Sequence, residues 1–145
     1  MIEIRYLQKD DFDRGFLECL SSLHPSSMSK EDARDRFDLR FFDGINTLVA
    51  LDDDTVVGTA SWFVEHKFLH GGSQTCHVED VAVLKERQGE GIGKFLMDYI
   101  VEQAETCEGC YKLVLDCSED NVSFYERCGL HKDSVCMKIN LTTPS

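Results

Sequence analysis

The chain has 145 residues, of which 42% are hydrophobic and 29% are charged, and its formal net charge is −12 at pH 7. These values are typical of a globular protein, and we expect one domain over residues 1–145. The acidic excess argues against a nucleic-acid partner, because such binding depends on lysine and arginine neutralising phosphates. The sequence also lacks an apolar run of the roughly 20 residues that a membrane helix needs.

The N-terminus begins directly with a predicted strand and leaves no room for a signal peptide, which favours a cytoplasmic location. The seven cysteines are an odd number, so we expect reduced thiols rather than a disulfide framework. Cys107 and Cys110 form a lone C-x-x-C motif. A zinc site would need a second pair of cysteines at matching spacing, which the sequence lacks, and no metal is expected.

Hydrophobic periodicity predicts five elements in the first part of the chain. They are a strand over 2–7, a helix that begins at Asp10 or Asp11 and carries Phe12, Phe16, Leu17 and Leu20, a helix that begins at Ser29 or Lys30, and a hairpin of strands over 47–51 and 56–65. Residues 21–27 are polar and contain a proline, which indicates a loop.

Five further elements are predicted in the second part. They are a strand over 76–83, a helix from 91 to 106, a strand over 111–117, a short helix over 121–128 that ends at Gly129, and a last strand over 135–141. The strand over 111–117 is nearly all apolar, which predicts burial on both faces. The order of the elements indicates an α/β (α+β) fold with a mixed sheet flanked by helices.

The other elements are organised around residues 77–94. A valine-rich strand here leads into a loop with Gly89, Gly91 and Gly93 and then into an amphipathic helix. Glycines let backbone N–H groups converge, and a helix N-terminus favours an anion, so the pattern predicts a phosphate-binding loop. Gln88 and Phe95 do not fit a Walker A loop, and the spacing also fails a dinucleotide fingerprint. A glycine-rich turn without a ligand is the alternative.

The pattern Gln88-x-x-Gly91-x-Gly93 resembles the acyl-CoA pyrophosphate loop of GNAT acetyltransferases. Residues 77–83, 109–117 and 121–129 further resemble the eukaryotic glucosamine 6-phosphate N-acetyltransferases of that superfamily. The resemblance implies a GNAT-type domain with a mixed, mostly antiparallel central sheet flanked by helices. It also implies transfer of acetyl from acetyl-CoA to the 2-amino group of D-glucosamine 6-phosphate, a step in UDP-N-acetylglucosamine biosynthesis.

The resemblance assigns roles to individual residues. The implied catalytic residues are Glu79, Asp80, Asp116 and Tyr125. The implied cofactor-binding residues are Val81, Ala82, Val83, Gln88, Gly89, Glu90, Gly91, Ile92, Gly93, Lys94, Asn121 and Tyr125. Tyr125 would protonate the leaving thiolate, and Asp116 would contribute its main-chain carbonyl. Glu79 and Asp80 are adjacent on a strand, so both can enter one pocket only if a β-bulge redirects one of them.

The implied substrate-binding residues come from several segments. They are Ser21, Lys67, Phe68, Leu69, His70, Glu79, Asp80, Val81, Ile100, Val101, Lys138 and Asn140. The family is a homodimer in which the partner's last strand and central helix complete the sugar site. Asn140 stands where the family has a phosphate-binding arginine, and Lys138 lies two residues away on the same face of the predicted strand.

Each of these residues also has a structural explanation. Glu79 or Asp80 can be a solvent-facing acid, Tyr125 a core aromatic residue, and Asn121 a helix N-cap. Other functions also stay open: a GNAT enzyme that acts on a polyamine, an arylalkylamine or a peptide, a non-catalytic acetyl-CoA-binding module, or a redox protein that uses Cys107 and Cys110. Loss of Tyr125 or of the acidic pair would favour the non-catalytic module, and both are present.

Overall fold

A computed structural model describes residues 1–142 of the protein. The strands are β1 (Ile2–Tyr6), β2 (Asn46–Asp52), β3 (Thr55–His66), β4 (Gln74–Val83) and β5 (Cys110–Val114). The helices are α1 (Phe16–Leu20), α2 (Lys30–Phe42), α3 (Ile92–Thr106) and α4 (Val122–Arg127). Short 3₁₀ segments cover Lys9–Asp13, Lys85–Arg87 and Glu119–Asn121. Residues 143–145 of the expected domain lie outside the described residues.

The strands form one sheet in the order β1-β2-β3-β4-β5. The first three pairs are antiparallel, and β4 and β5 are parallel. Asp53 and Asp54, between β2 and β3, both have positive φ, 48° and 64°, as a tight hairpin turn with the twist of its strands requires. The predicted fold, with a mixed and mostly antiparallel sheet between helices, is confirmed.

Helices cover both faces of the sheet. The buried cluster on the α3 side consists of Leu48, Ala50, Val57, Ala60, Trp62, Cys76, Val78, Ile92, Leu96, Met97 and Ile100. The cluster on the α1 and α2 side consists of Phe12, Phe16, Cys19, Ala33, Val49, Leu51 and Val56. Gly58 of β3 lets α3 approach closely, because an added Cβ would lie 2.8 Å from Cγ2 of Ile92. The start of α3 is therefore held against the middle of the sheet.

The helix predicted from Asp10 or Asp11 is instead two short segments, and this prediction is wrong. The 3₁₀ segment ends at Asp13, and Gly15 has a φ of 93° immediately before α1. Asp11 is fully buried, accepts from the N–H of Gln8 at 2.7 Å and pairs with Arg5 at 2.8 Å. The spacing of apolar residues continues across the break, so periodicity alone does not reveal it.

Two predictions for the C-terminal part are wrong for the single chain. The predicted strand over 111–117 ends at Val114 and is partly exposed, because β5 is the edge strand and pairs only with β4 among the described residues. Residues 135–141 form no ladder. Val135, Met137 and Ile139 in this segment are 81–86% exposed. The predicted short helix is confirmed as α4, and Gly129 beyond it has a φ of 97°.

Candidate active site

A bulge in β4 brings two acidic residues to the same side of the sheet. Ser61 of β3 pairs with Glu79, but two residues earlier Thr59 pairs with Ala82, so β4 contains one additional residue. Asp80 lies in the bulge and has a φ of 52°, which is uncommon for a residue other than glycine. Asp80 lines a cavity beneath α2 together with Ser61. Glu79 lies on the same face of the sheet as its cross-strand neighbour Ser61. The structure therefore contains the β-bulge that the two adjacent acids need in order to face the same side.

A third acid lies close to this pair. Partial desolvation, together with the negative charges of Asp80 and Asp116, raises the pKa of Glu79. Asp116 is an exposed residue in the segment that follows β5. A carboxylate whose pKa moves towards neutrality is better matched to taking a proton from an ammonium group. The structure therefore brings together three of the four predicted catalytic residues, Glu79, Asp80 and Asp116.

β4 and β5 separate after a short paired region. The pairing begins at Gln74 with Cys110 and ends at His77 with Val114, while β4 continues to Val83. Among the described residues, no strand covers the β5 side of β4 beyond His77. Unpaired N–H and C=O groups at such an edge can bind an extended ligand. Residues 81–83, which were predicted to bind the cofactor, lie in this open part of β4.

The glycine loop ends at the N-terminus of α3. Gly89 and Gly91 have φ values of 88° and 86°, which are strained for residues with a side chain. Gly91 is the N-cap residue, and the first helical hydrogen bond runs from the N–H of Phe95 to its carbonyl at 3.0 Å. The N–H groups of residues 92–94 precede that bond, so no helical carbonyl accepts from them. This arrangement fits a phosphate group.

Gly93 connects the loop to α4. An added Cβ at this position would lie 3.0 Å from Cζ of Phe124 and 3.6 Å from Cγ2 of Val83. The side chain of Gln88 donates to the carbonyl of Val83 at 3.2 Å. These contacts join the end of β4, the glycine loop and α4 into one packed unit, and α4 carries Tyr125.

Both cations of the loop are paired with carboxylates. Arg87 lies 2.9 Å from Asp52 and 2.9 Å from Glu90, and Lys94 lies 2.8 Å from Asp98. Glu90, predicted to bind the cofactor, therefore also holds Arg87 against the loop. Solvent screens partly exposed ion pairs of this kind, so a phosphate can compete for either cation.

Tyr125 is a protonated donor in this unit. Its ring packs edge-on against Phe124 with centroids 4.9 Å apart. Burial, reinforced by the neighbouring Cys117 and Cys128, raises the pKa of Tyr125 to about 12. The phenol therefore keeps its proton at neutral pH. Asn121 is the N-cap residue of α4, but its side chain makes no capping hydrogen bond, which leaves its amide available to a ligand.

The predicted substrate loop, residues 67–70, connects β3 to β4. Lys67 lies 3.2 Å from Glu65, and His70, with a φ of 54°, packs against Tyr111 with ring centroids 4.6 Å apart. The side chains of Phe68 and Leu69 between them are exposed. The loop thus presents a cation and apolar groups at one end of β4.

The remaining predicted substrate residues are spread over the molecule. Ser21 follows α1 and donates to the carbonyl of Leu17 at 2.9 Å. Ile100 is fully buried in the core on the α3 side, so its side chain packs against its own sheet instead of facing a ligand. Val101 is half-buried on α3, and Lys138 and Asn140 are exposed in the segment 135–141. A single chain does not place these residues around the acidic pair.

Sequence reasoning missed a polar cluster beneath the bulge. Arg40 of α2 donates to Oγ1 of Thr47 at 3.1 Å and to Oγ of Ser61 at 2.9 Å. Thr47 and Ser61 pair across β2 and β3, and Ser61 pairs with Glu79 of β4. The hydroxyl residues Thr47 and Ser61 within otherwise apolar strands could have indicated a polar cluster. No sequence feature near them indicates that Arg40 contacts them.

A cavity of about 500 Å³ lies between the loop after α1 and the bulge. We call it the loop cavity; His24, Ser26, Asp32 and Asp80 are among its lining residues. Its wide opening and its polar side chains, beside apolar ones such as Leu23 and Met28, give a hydrophilic acceptor access and hydrogen-bonding partners. The structure therefore gives an amine a route to Asp80 from the side of the sheet opposite α3.

Within residues 1–142, no group of three or more His, Cys, Asp or Glu side chains is arranged to hold a metal ion. Cys107 and Cys110 are free thiols at the two ends of a turn, in which the N–H of Cys110 donates to the carbonyl of Cys107 at 3.2 Å.

None of the described helices has the length and apolar character that crossing a membrane requires.

Comparison with known proteins assigns the family. The model of the acetyltransferase (GNAT) family matches residues 4–130. Glucosamine 6-phosphate N-acetyltransferase 1 of Dictyostelium discoideum is 37% identical, over 99% of this chain and 93% of its own. The crystal structure of glucosamine-6-phosphate N-acetyltransferase from Arabidopsis thaliana has a TM-score of 0.90 and 30% identity, covering 98% of this chain and 99% of that one. A Trypanosoma brucei acetyltransferase has a TM-score of 0.88 and 33% identity, covering 97% and 100%. The protein is thus an N-acetyltransferase of the GNAT family.

Proposed function

We propose that the protein transfers the acetyl group of acetyl-CoA to the 2-amino group of D-glucosamine 6-phosphate, for UDP-N-acetylglucosamine biosynthesis. The names of relatives that align with nearly the whole chain support this acceptor. The observation that carries the proposal is the bulge at Asp80. It turns two acids towards one side of β4, next to the open edge that can hold an acyl donor.

Three parts of the chain bind acetyl-CoA in this proposal. The main-chain groups of Val81 and Val83 pair with the pantetheine amides at the open edge of β4. The N–H groups of residues 89–94 hold the diphosphate at the N-terminus of α3. Asn121 orients the pantetheine arm from the start of α4. The positive φ of two of the loop glycines and the unpaired first turn of α3 support this assignment.

The acceptor amine must lose a proton before it attacks. Glu79 takes this proton, because its raised pKa makes it a stronger base than an ordinary glutamate. Asp80 binds the amino sugar beside it, and the carbonyl of Asp116 lies near the amine. Lys67 and His70 bind the phosphate from the loop after β3.

Tyr125 assists the leaving sulfur. An ordinary thiol has a pKa of about 8.5, whereas the pKa of Tyr125 is about 12. Complete transfer of the phenol proton to the thiolate is therefore unfavourable at equilibrium. Tyr125 acts mainly by donating a hydrogen bond that stabilises the negative charge on sulfur as the carbon–sulfur bond breaks.

We expect Tyr125→Phe to lower kcat by about 10- to 100-fold, which is at or below the lower end of general acid catalysis, because only a hydrogen bond is lost. The KM for acetyl-CoA should change little, because the ring and its packing remain. Thiol release measures both constants. Tyr99→Phe on α3 removes a hydroxyl outside the mechanism and should keep wild-type kcat. Unchanged turnover in Tyr125→Phe would remove the hydroxyl from the mechanism.

Asp116→Asn tests the charge around Glu79. The carboxylate of Asp116 helps to raise the pKa of Glu79, so its neutralisation should lower that pKa. Glu79 then stays ionised at lower pH, and the acidic limb of the kcat/KM profile should move to lower pH. The maximal rate should be nearly retained, because the main-chain carbonyl is unchanged. A limb that does not move, or that moves to higher pH, would contradict the coupling.

The acceptor is tested by initial rates on glucosamine 6-phosphate, glucosamine and spermidine, with acetylated product and thiol release both measured. We expect glucosamine 6-phosphate to be the best substrate, because only it offers both the amine and the phosphate. Activity on spermidine alone would replace the proposal with a polyamine acetyltransferase, which the acidic composition would suit. Coenzyme A binding without turnover on any amine would indicate a non-catalytic module.

We further propose that the active form is a homodimer, in which Lys138 and Asn140 reach the partner's sugar site. The exposed apolar residues of the segment 135–141 support this assembly. A cytoplasmic location is part of the same proposal, since free thiols such as those of Cys107 and Cys110 suit a reducing compartment.

A further inference from the structure

A second cavity, of about 560 Å³, lies between the sheet and helices α1 and α2. We call it the helix–sheet cavity; Phe12, Phe16, Phe37, Arg36, Arg40 and Asp80 are among its lining residues. Its volume is within the range of about 300–1,000 Å³ that is usual for small-molecule sites. The mechanism proposed above uses none of these residues except Asp80.

Two arginines face this cavity without an acidic partner. Arg36 and Arg40 are one helical turn apart on α2, and neither lies within ion-pair distance of a carboxylate in residues 1–142. Arg40 is half-buried and, within the part of the chain that the structure describes, its side chain donates to the hydroxyls of Thr47 and Ser61 and to no other group. Like charges at this spacing repel, and a partly buried cation without a counter-ion is costly. In a chain of net charge −12, such a pair indicates a place for an anion.

Apart from these polar groups, the walls of the cavity are mostly apolar. Phe12 and Phe16 pack edge-on with ring centroids 5.4 Å apart, and Phe37 lines the same space from α2. A sugar would lose the hydration of its hydroxyls against these rings without gaining hydrogen bonds, which is unfavourable. An aliphatic or aromatic group would gain from burial there. The lining therefore suits a ligand with one anionic end and an apolar body.

We propose that the helix–sheet cavity binds a small amphipathic carboxylate of medium chain length. The carboxylate pairs with Arg40, assisted by Arg36 and the hydroxyls of Thr47 and Ser61, and the tail packs between the phenylalanines. Asp80 also lines the cavity and repels a carboxylate. The ligand carboxylate must therefore bind on the arginine side, away from Asp80.

This site is distinct from the acceptor site but borders it. Asp80 lines both the helix–sheet cavity and the loop cavity. Binding of the carboxylate needs neither acetyl-CoA nor an amine, so it can be measured on the free protein. Its failure would leave the acetyltransferase proposal unaffected.

Isothermal titration calorimetry with sodium octanoate tests the proposal on the full chain. We expect saturable binding, and a Kd for octan-1-ol at least tenfold higher, because the alcohol has the same tail without the charge. Arg40→Gln should raise the octanoate Kd at least tenfold. Arg127→Gln on α4 removes an exposed arginine far from α2 in sequence and should leave this Kd unchanged.

Arg36→Gln keeps the proposal testable if Arg40→Gln fails to fold. The side chain of Arg36 is exposed and makes no side-chain hydrogen bond among the described residues, so this variant should fold normally. It should raise the octanoate Kd severalfold while its circular dichroism matches the wild type. Absence of saturable octanoate binding, equal binding of octan-1-ol, or an unchanged Kd in Arg36→Gln would each overturn the proposal.

Discussion

Glu79→Gln is expected to lower kcat/KM for the amine acceptor by about 100- to 10,000-fold at neutral pH, the range associated with loss of a general base. The substitution keeps the size and shape of the side chain and removes only its ability to accept a proton. Because Glu79 is exposed at its position on β4, the loss of charge should not affect folding. Initial rates of thiol release at several acceptor concentrations measure the effect.

The loss of kcat/KM in Glu79→Gln should become smaller as the pH rises. The raised pKa of Glu79 means that the wild-type rate falls as the pH drops through this value. The variant has no such limb from residue 79, and its rate should follow the ionisation of the amine alone. At high pH the amine is already deprotonated, so the difference between the variant and the wild type should become smaller.

Glu102→Gln provides the matched control, because it makes the same chemical change at an exposed position on α3. It should leave kcat/KM unchanged. If Glu79→Gln keeps wild-type activity at neutral pH, the proton leaves through another group, and the raised pKa of Glu79 has no catalytic meaning. A constant deficit at every pH would instead indicate a binding role.

The part of the site that was predicted correctly depends on local signals. The strand over 76–83 and the helix over 91–106 correspond to β4 and α3 within two residues. Alternating valines, three glycines and a helical apolar pattern each report backbone conformation at their own positions. The sequence could show only that a bulge was needed for both acids to enter one pocket. It could not predict the bulge itself, because the φ of 52° at Asp80 follows from pairing with β3.

Contacts between distant residues account for what was missed. Arg5 pairs with the buried Asp11, which also accepts from the N–H of Gln8, and Arg40 reaches hydroxyls on β2 and β3. Charged side chains are usually solvated, so neither contact has a signal in the sequence. The burial expected for the strand over 111–117 failed for a related reason, since one chain leaves the outer edge of β5 uncovered.

The second large expected effect is on assembly and activity, and it concerns the segment 135–141. Val135, Met137, Ile139 and Leu141 alternate along it and are each 81–86% exposed. Alternation with a period of two is the pattern of a strand with one buried face. Residues that point the other way, such as Cys136 and Lys138, are polar or small. Cys136 lies close to Asp116, and this carboxylate raises the pKa of the Cys136 thiol, so the segment passes near the end of β5.

Burial of these four side chains against a second copy would remove apolar surface from water and is favourable. This supports the proposed dimer, in which each segment lies on the partner. Ile139→Asp places a charge in the centre of this apolar face and should convert the dimer to a monomer.

We expect Ile139→Asp to run as a monomer in size-exclusion chromatography with light scattering and to lose at least tenfold in kcat/KM, since Lys138 and Asn140 would no longer reach the partner's site. Ser134→Asp adds the same charge immediately before the segment, at a position on the opposite face of the alternating pattern, and it should stay dimeric and active. A wild-type protein that is monomeric and fully active would contradict the shared site, because the exposed apolar face would then have no function in catalysis. A monomeric Ile139→Asp variant with wild-type kcat/KM would separate assembly from activity and would locate the whole sugar site within one chain.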